Sequence, residues 1–475
     1  MSGVGGAGGD EVRVTTYSAV RTTGIYCRPG CGAKPLAENV RTFELAAAAE
    51  AEGYRACLRC RPYRVAGTVA DDAPELVCRA VQLIIAGVLD DADEVALGAQ
   101  LGMSARHLRR LFNDHLGVTP DQFARSRRAH FARRLLDDSE LTIADVAFAS
   151  GFGSLRQFNR AMREVFRATP RELRDRRRRT DRLAADGGLV LRMPFTPPYD
   201  WDAMAGFLAR NAVPGVESVQ GGVYRRTIAL DGALGLLEIG PGGVDHLLLK
   251  AHLPYWEGAI HVVERAGCLV GLTTEPVLAA AQLAADPVIG PLIEARPGIR
   301  VPGAWGPFEV AVQAVVTHHP ALTRPSPGER PHAGSSQGDR PALTEAREVL
   351  ARVVEVAGTQ VDGLGFGLTH AFPSAESVAE ADLSGIPGEV ARTIKALAHE
   401  VALGNLSLAA CAPLEELTGA LLAIDGVSEE AAQWVALRLG ARDASPITKG
   451  AREPDEAWRP WRALAAMHLE AAAPR

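Results

Sequence analysis

Four cysteines near the start of the chain have the types and the spacing of a metal site. Cys27 and Cys31 form a Cys-x3-Cys pair, and Cys57 and Cys60 form a Cys-x2-Cys pair after 25 intervening residues. Each close pair lets two sulfurs converge on one ion, and two pairs fill the tetrahedral thiolate shell that Zn²⁺ prefers in closed sites. The spacing therefore predicts one zinc ion held by four cysteines.

Arginines surround these cysteines in the sequence. Arg28 lies within the first pair, Arg59 lies within the second, and Arg21, Arg55 and Arg61 lie nearby. A metal-bound sulfur is held as the nucleophilic thiolate, and guanidinium groups can hold a phosphate against it. The alternative is a purely structural zinc knuckle, which stabilises a segment too small to form its own core.

The sequence around both cysteine pairs resembles one known family. The motifs Thr-Gly-Ile-Tyr-Cys27-Arg-Pro-Gly-Cys31 and Tyr-Arg-Ala-Cys57-Leu-Arg-Cys60-Arg-Pro are similar to the N-terminal domain of Ada, a bacterial DNA methylphosphotriester repair and response protein. The resemblance places such a domain at residues 12–66. It implies that zinc-bound Cys27 accepts one methyl group from a methylated DNA phosphate, and that the neighbouring arginines contact DNA.

The rest of the chain must position this site, and its size allows several domains. A length of 475 residues indicates three or four domains, and 47% hydrophobic content supports packed cores. The remaining cysteines, Cys78, Cys268 and Cys411, are scattered singly, which favours a reducing cytoplasm over a disulfide framework. The sequence has no apolar run near twenty residues and no signal peptide, so we expect a cytoplasmic protein without a membrane partner.

Positive charge is concentrated in one part of the chain. The formal net charge is −6, yet residues 98–182 hold 19 Arg and 10 Asp or Glu. Apolar spacing is helical across residues 74–180, and two patterns repeat there with turn glycines at Gly102 and Gly151 and a closing Thr-Pro pair. Ser104 and Ser154 are suited to begin the helix after each turn. The pattern predicts an all-α, double helix-turn-helix DNA-binding domain.

The second repeat resembles the DNA-binding domain of AraC/XylS transcription regulators, through Thr-Ile-Ala-Asp-Val-Ala-Phe-Ala-Ser-Gly-Phe-Gly-Ser-Leu-Arg-Gln-Phe-Asn-Arg. The residue types fit guanine, adenine and phosphate contacts in a major groove. The candidate DNA-contacting residues beside the cysteines are Arg28, Arg55 and Arg59. Those in the two repeats are Arg106, His107, Arg109, Arg110, Arg156, Gln157, Asn159 and Arg160. For any single arginine the alternative is a solvated helix face. The implied partners are double-stranded DNA and, as a candidate, RNA polymerase.

The second half of the chain changes to alternating apolar residues with Gly and Pro turns. Residues 224–230 and 234–239 read as antiparallel strands. The stretches at 197–210, 296–303 and 456–463 resemble AlkA-type 3-methyladenine DNA glycosylases, which implies an α+β domain at 189–303 and an all-α helix-hairpin-helix domain at 304–475. Trp461 matches a tryptophan of the family's base pocket, with ordinary core packing as the alternative.

Departures from that family indicate lost glycosylase activity. In the hairpin, Ser428 stands where the family uses glycine, and Glu430 adds a carboxylate beside a loop that should meet a phosphate. Lys449 aligns with the essential aspartate, and a cation has the wrong sign beside a forming oxocarbenium ion. Asp443 and Asp455 are candidates for a displaced carboxylate. A Pro-, Ser- and Gly-rich insert at 318–341 reads as disordered.

Together these observations predict a multidomain, mainly α protein. It would combine a small zinc-binding α/β domain, the double helix-turn-helix, the α+β antiparallel-sheet domain and the degenerate helix-hairpin-helix domain. The predicted function is an alkylation-responsive transcription regulator that accepts a methyl group on a zinc-bound cysteine. Two alternatives stay open: an active 3-methyladenine glycosylase with a regulatory first half, and a constitutive AraC-type factor with structural zinc.

Overall fold

The computed structural model describes most of the chain. The described residues are 16–29, 31, 35–64, 74–177, 181–183, 188–273, 276–323, 339–409, 412–446 and 456–472. The protein is multidomain and about half helical, with small sheets. We refer to the described residues of 16–64, 74–177, 188–303 and 304–472 as the cysteine, helical, sheet and hairpin regions.

The cysteine region is a four-stranded sheet with one helix. Its elements are β1 (Tyr17–Val20), β2 (Ile25–Cys27), β3 (Val40–Phe43), α1 (Ala46–Ala51) and β4 (Arg55–Ala56), with 3-10 helices at Ala37–Asn39 and Pro62–Arg64. The sheet order is β3-β1-β2-β4. Tyr17 and Tyr26 are buried and meet edge to face with ring centroids 5.9 Å apart. Two large aromatic rings thus supply much of the apolar interior of this small region.

The helical region contains the two predicted repeats. Its helices are α2 (Glu75–Ile85), α3 (Val88–Asp91), α4 (Glu94–Gln100), α5 (Ala105–Leu116), α6 (Pro120–Asp138), α7 (Ile143–Ala149), α8 (Leu155–Phe166) and α9 (Pro170–Asp175). Helix α4 turns into α5 in the first unit, and α7 turns into α8 in the second. The long helix α6 joins the two units. Each Thr-Pro pair begins the following helix, where Thr119 and Thr169 form capping boxes.

The turns between these helices use the predicted residues. Gly102 and Gly151 have φ of +69° and +77°, a backbone conformation that side chains with a Cβ rarely adopt. The hydroxyls of Ser104 and Ser154 accept the backbone N–H three residues later, which begins α5 and α8. These local signals orient α5 and α8 as the two candidate reading helices.

The sheet region is an antiparallel sheet packed against helices. It contains β5 (Leu189–Pro194), α10 (Trp201–Arg210), β6 (Glu217–Gln220), β7 (Val223–Leu230), β8 (Ala233–Pro241), β9 (His246–His252), α11 (Ala259–Leu269), α12 (Pro276–Leu283) and α13 (Ile289–Ala295). The strand order is β5-β9-β8-β7-β6. Strands β7 and β8 pair antiparallel over the stretches that alternation predicts, from Tyr224 opposite Ile239 onward.

The hairpin region is helical apart from a short ribbon. It contains α14 (Pro307–Thr317), α15 (Pro320–Thr323), α16 (Asp339–Ala357), β10 (Thr359–Gln360), β11 (His370–Ala371), α17 (Ala375–Glu380), α18 (Gly388–Ala402), α19 (Leu414–Leu422), α20 (Glu429–Arg438), a 3-10 helix at Glu456–Trp458 and α21 (Arg462–Ala472). Helices α19 and α20, joined by residues 423–428, cover the stretch where the sequence predicts a helix-hairpin-helix.

The predicted disordered insert at 318–341 is wrong at both ends. Its first residues continue into α15, and α16 begins at Asp339. The first residues of the insert are ordered because His319 is buried. It is 3% exposed, its Nδ1 accepts the Ala321 N–H, and its Nε2 lies 3.2 Å from the hydroxyl of Thr393. Residues 324–338 lie outside the described residues. Within the part of the chain that the structure describes, no helix is long and apolar enough to cross a membrane.

Candidate metal centre and nucleic-acid interface

The backbone brings cysteines from the two pairs together. Strands β2 and β4 run parallel, with Tyr26 opposite Ala56. Cys27 ends β2 and Cys57 directly follows β4, so both emerge at the same end of the sheet. Cys60 returns through the next turn. The sulfurs of Cys27, Cys57 and Cys60 all lie within 4.8 Å of one another, close enough to share one ion.

The electrostatics of this cluster suit a cation. Burial and then the neighbouring cysteines raise the pKa of Cys27 well above its ordinary value. Burial, with the nearby thiols of Cys57 and Cys31, raises the pKa of Cys60 to about 11. Burial also acts to raise the pKa of Cys57, but hydrogen bonds from the backbone N–H groups of Cys60 and Arg59 lower it overall. Thiolates this close repel one another, and Zn²⁺ supplies the charge that lets them ionise together.

Cys31 stands slightly apart from the other three cysteines. Its backbone N–H donates to the Arg28 carbonyl over 3.3 Å, and its thiol is close enough to raise the pKa values of Cys27 and Cys60. Gly30 and residues 32–34 lie outside the described residues. The donor chemistry fits a fourth zinc ligand, while the tight group of three sulfurs is what the geometry shows.

Three predicted DNA-contacting arginines border this cluster. Arg59 is exposed in the turn between Cys57 and Cys60, and Arg55 is partly exposed on β4. Arg28 follows Cys27 and donates its backbone N–H to the sulfur of Cys60, while its Nε is buried and forms no hydrogen bond among the described residues. Each of these arginines lies within two residues of a cysteine along the chain, and phosphate binding requires positive charge of this kind.

The prediction that Arg61 helps to hold a phosphate is wrong. Its side chain is buried, with Nη1 2.7 Å from a carboxylate oxygen of Asp181 and 3.8 Å from one of Asp137. Arg133 pairs with the same Asp137 at 2.5 Å, and the hydroxyl of Tyr63 donates to it at 3.0 Å. Arg61 therefore anchors the cysteine region to α6, because buried charges need partners.

A second contact anchors the cysteine region to α6, and it was not predicted from the sequence. The Tyr26 hydroxyl donates to Glu50 over 2.6 Å, and His130 of α6 contacts the same carboxylate at 2.6 Å. Tyr26 directly precedes Cys27. Tyr26 and Glu50 are 24 positions apart along the chain, and Glu50 and His130 are 80 positions apart. No local pattern could have linked them. The metal centre is thus braced against the helix that joins the two repeats.

The first candidate reading helix presents all four predicted residues to solvent. Arg106, His107, Arg109 and Arg110 are exposed on α5. Arg109 forms an ion pair with buried Glu94 while its own side chain stays 59% exposed. Their exposure on one basic helix fits DNA contact, with Arg109 held in place by its partner.

The second candidate reading helix divides its predicted residues into two kinds. Arg156 and Gln157 are exposed at the start of α8. The Asn159 side chain donates to the Leu155 carbonyl over 2.8 Å, and Arg160 pairs with Glu164 at 2.8 Å. Base reading by Asn159 or Arg160 would therefore compete with an existing internal contact.

The end of α8 packs against the cysteine region. The ring of Phe166 meets Tyr63 edge to face with centroids 5.9 Å apart, and Arg167 donates to the Gly53 carbonyl over 3.3 Å. Gly53 leads into β4, and β4 leads into Cys57. The metal centre and the second reading helix are consequently neighbours in space.

The hairpin loop uses its substituted residues for internal contacts. The Ser428 hydroxyl accepts the Ala431 N–H, which begins α20, and donates to the His318 carbonyl over 2.9 Å. Glu430 lies 3.2 Å from Nδ1 of His318, whose ring stacks on Trp434. His318 and Ser428 thus hold the loop to α14, and carboxylates remain at the position where the resemblance expects a phosphate.

Asp443, one of the two carboxylates considered for glycosylase chemistry, is not free in the described structure. Asp443 accepts two hydrogen bonds of 2.7 Å from Arg462 and lies 2.8 Å from Arg459. Lys449 and Asp455 lie outside the described residues. Two arginines occupy the carboxylate oxygens of Asp443, so this side chain is committed to internal contacts.

Trp461 is packed in a core. It is 9% exposed and lies in an apolar cluster with residues of α12, α13 and α21. Its Nε1 donates to Gln282, and the guanidinium of Arg442 lies 5.1 Å from its ring centroid. These contacts are those of the core-packing alternative.

Comparison with known families confirms the predicted resemblances. The metal binding domain of Ada matches residues 12–63, a helix-turn-helix domain matches 97–176, and the AlkA N-terminal domain matches 190–306. The Ada match and the sulfur cluster together confirm a cysteine-bound Zn²⁺ as cofactor. The helix-turn-helix match confirms that the chain is a DNA-binding protein.

Several curated proteins are similar to this chain. The chain is 35% identical over 479 residues to the "Probable bifunctional transcriptional activator/DNA repair enzyme AlkA" of Mycobacterium tuberculosis, covering 95% of this chain and 91% of that protein. It is 27% identical to DNA-3-methyladenine glycosylase 2 of Escherichia coli, covering 58% of this chain and 94% of that protein. It is also 35% identical to the E. coli bifunctional transcriptional activator/DNA repair enzyme Ada, covering 33% of this chain and 43% of that protein.

Proposed function

The chain belongs to the family of bifunctional transcriptional activator/DNA repair proteins in which Ada-type and AlkA-type regions are joined, and from this premise we propose that it is an alkylation-responsive transcription regulator. Its signal would be a DNA methylphosphotriester, whose methyl group Cys27 accepts once. It would act on double-stranded DNA in the cytoplasm, with RNA polymerase as its candidate protein partner.

The observation that carries this proposal is the contact between α8 and the cysteine region. Arg167, just past the end of α8, donates to Gly53, and the strand that follows Gly53 leads directly to Cys57. DNA lying along α8 would therefore pass the metal centre. A methylated phosphate could then meet the sulfur while the helix holds the duplex.

The reaction needs a nucleophilic sulfur and a held phosphate. Zinc, when bound, keeps the cysteine sulfurs ionised at neutral pH. Arg28, Arg55 and Arg59 would hold the phosphate oxygens, and burial of Cys27 limits competing water. A sulfur lone pair of Cys27 forms the new bond to the methyl carbon. The electrons of the broken carbon–oxygen bond stay on the phosphate, which leaves as an ordinary diester anion, and no proton is moved.

Methyl transfer would also change the charge of the centre. Four thiolates and Zn²⁺ carry −2 by simple count, and a thioether in place of one thiolate leaves −1. Removing one unit of repulsion beside DNA phosphates is worth about 1 to 4 kcal/mol in aqueous to surface-like dielectrics, or about fivefold to several hundredfold in affinity. DNA affinity should therefore rise after the repair event, and the same event would serve as the signal.

We propose further that the AlkA-like half does not release alkylated bases. The hairpin carries Ser428 and Glu430 in internal contacts, and Asp443 is neutralised by Arg462 and Arg459. By the resemblance of the sequence, Lys449 would stand at the position of the family's essential aspartate. Loss of phosphate binding would lower the rate of base release. Loss of charge stabilisation in the transition state would lower it by about 10²- to 10³-fold on its own.

One observation favours a second candidate function. The similarity to E. coli DNA-3-methyladenine glycosylase 2 covers 94% of that protein, which supports a complete glycosylase framework in this chain. Under this alternative the C-terminal half would excise 3-methyladenine, and the first half would regulate it. Release of free base from methylated DNA by the full chain, above the uncatalysed rate, would support this function instead.

The experiment that tests the main proposal is mass spectrometry on the full-length zinc-loaded chain. The chain is incubated with a duplex that bears methylphosphotriesters, and its intact mass and its peptides are measured. We expect a gain of one methyl group, located on Cys27. An unchanged mass, or a methyl group on Cys60 with Cys27 free, would overturn the acceptor assignment.

A further inference from the structure

Helix α11 of the sheet region contacts the helical region at three places. Nε2 of His261 lies 2.6 Å from a carboxylate oxygen of Asp90, just before the first repeat. Glu264, one turn later, forms an ion pair with Arg127 of α6. The backbone N–H of Gly258, at the start of α11, donates to the Phe148 carbonyl of α7 over 3.3 Å. One helix thus reaches α3, which precedes the first repeat, the second repeat through α7, and the helix α6 that joins the repeats.

Asp90 is the point where these elements converge. Its second carboxylate oxygen lies 2.5 Å from Arg128 of α6, which also donates to the Leu89 carbonyl. A Cβ added at Gly151, in the turn of the second repeat, would lie 2.9 Å from the Asp90 carboxylate. A Cβ added at Gly87 would lie 2.8 Å from the His261 ring. The backbone on both sides of this carboxylate is therefore packed closely against it.

A second contact joins the sheet region to the far end of α6. Arg192 of β5 lies 2.8 Å from the carboxylate of Asp138, and it donates to the Asp181 carbonyl over 2.9 Å. Arg134 of α6 donates to the carbonyl of Arg192. Asp138 is 2% exposed, so its charge depends on this partner. The sheet region therefore holds α6 at two places along its length.

These contacts leave the candidate reading faces uncovered. Arg106, His107 and Arg110 on α5 are exposed, as are Arg156 and Gln157 on α8. The sheet region contacts α3, α6 and α7 instead. The arrangement supports the reading helices from behind, and it does not block them.

We propose that the AlkA-like sheet region has a function apart from base chemistry: it is a clamp that fixes the spacing of α5 and α8 for DNA reading. This inference rests on the proposed DNA reading by the two repeats. Two helices that enter successive major-groove segments must keep a set separation, and a preformed separation avoids the cost of ordering them on DNA. The AlkA-like half would then be needed for operator affinity even without enzymatic activity.

The test is a charge swap across the α11 contact in the full-length chain. A duplex is first selected from a random-sequence pool by the wild-type protein, and its Kd is measured by fluorescence anisotropy. Arg127→Glu sets two carboxylates against each other, whereas Arg127→Glu with Glu264→Arg restores an opposite pair. Arg352→Glu is the matched control, because Arg352 pairs with Glu355 on the exposed face of α16 and its change alters net charge equally.

We expect Arg127→Glu to weaken binding about tenfold more than Arg352→Glu does, equivalent to about 1.4 kcal/mol. The double swap should return to within about threefold of the wild type. Equal losses for the two single variants would overturn the clamp, and so would a folded double swap that stays weak, because Arg127 would then act on DNA directly. Methyl uptake by Cys27 and hydrogen exchange in α5 and α8 report folding separately. A wild-type chain that selects no duplex would instead refute DNA reading itself.

Discussion

The cysteine region and the hairpin region both resemble folds that act on alkylated DNA, yet they treat their polar groups in opposite ways. In the cysteine region the sulfurs of Cys27, Cys57 and Cys60 converge, and Arg59 remains exposed beside them. In the hairpin region Ser428 and its neighbours are used to hold the loop against α14. The difference supports our proposal that the hairpin region has kept a fold without keeping its site, because groups committed to internal contacts are not available to substrate.

The two regions also differ in the sign of their charge. The loop between the cysteines carries arginines, whereas the hairpin carries Asp425, Glu429 and Glu430. A DNA phosphate is attracted to the first and repelled by the second. The predictions below test how far this contrast extends.

The largest expected effect is at the acceptor sulfur. Cys27→Ser should abolish methyl uptake from methylphosphotriester DNA, because a hydroxyl at this position is a far weaker nucleophile than a zinc-bound thiolate. Peptide mass spectrometry measures the uptake. Cys78→Ser on α2 is the matched control and should gain one methyl group per chain, as the wild type does. Methyl uptake by the Cys27 variant equal to that of the control would show that Cys27 is not the methyl acceptor.

The next largest effect concerns two carboxylates held by arginines, Asp137 at the cysteine region and Asp443 in the hairpin region. Asp137 is fully buried between Arg61 and Arg133, so Asp137→Ala would leave buried guanidinium charge unpaired. We expect it to lower the free energy of unfolding by about 3 to 5 kcal/mol. Asp443→Ala, which removes a more exposed partner of Arg462, should cost about 1 kcal/mol. Chemical denaturation of both variants measures the difference, and equal losses would show that the two anchors are alike.

A smaller effect is expected on DNA affinity after methylation. Loss of one negative charge at the metal centre should increase affinity about fivefold to several hundredfold at low salt, and the gain should shrink as salt screens the charge. Binding isotherms of methylated and unmethylated protein at two salt concentrations measure it. Overlapping isotherms at low salt would support the constitutive factor with structural zinc.

The smallest effect is a pH dependence of the clamp. Burial acts to lower the pKa of His261, but the hydrogen bond and charge of Asp90 raise it overall, and Glu264 adds to the rise. The Asp90 pKa is lowered, since contacts with His261 and Arg128 outweigh its burial. Arg127 pairs with Glu264 beside this contact.

The two shifts set the pH window of the clamp. The stabilisation from His261 should be fully present below the ordinary histidine pKa and should be lost as pH rises through the raised pKa. The stabilisation from Asp90 should be lost only as pH falls through its lowered pKa. Thermal unfolding of the wild type and of His261→Gln across this range measures the first window. A constant difference in Tm between the two proteins would contradict it.

Parts of this structure follow from local sequence signals. The cysteine spacing predicted the sulfur cluster, and Ser104, Ser154 and the turn glycines predicted the two repeats, because capping and positive φ are decided by nearby residues. Alternation likewise predicted the pairing of β7 with β8. These features depend on contacts within a few residues or on metal-ligand chemistry that spacing alone reveals.

Other parts could not be predicted because they depend on distant contacts. Arg61 reads as a phosphate ligand beside Cys60, yet Asp137 and Asp181 draw it into the interior. The contact of Asp90 with His261 joins residues 171 positions apart. Ion pairs of this kind are set by how the regions dock, and a single sequence carries no periodic or spacing signal for docking.

The central claim is that the cysteine region reacts with alkylated DNA and the hairpin region does not. One measurement tests both halves: the zinc-loaded full chain is incubated with a duplex that carries a methylphosphotriester and a 3-methyladenine, and the reaction is followed for protein mass and for released base. The account predicts one methyl group on Cys27 per chain and base release at the background rate. Release of 3-methyladenine above background, or a protein mass that does not change, would contradict it.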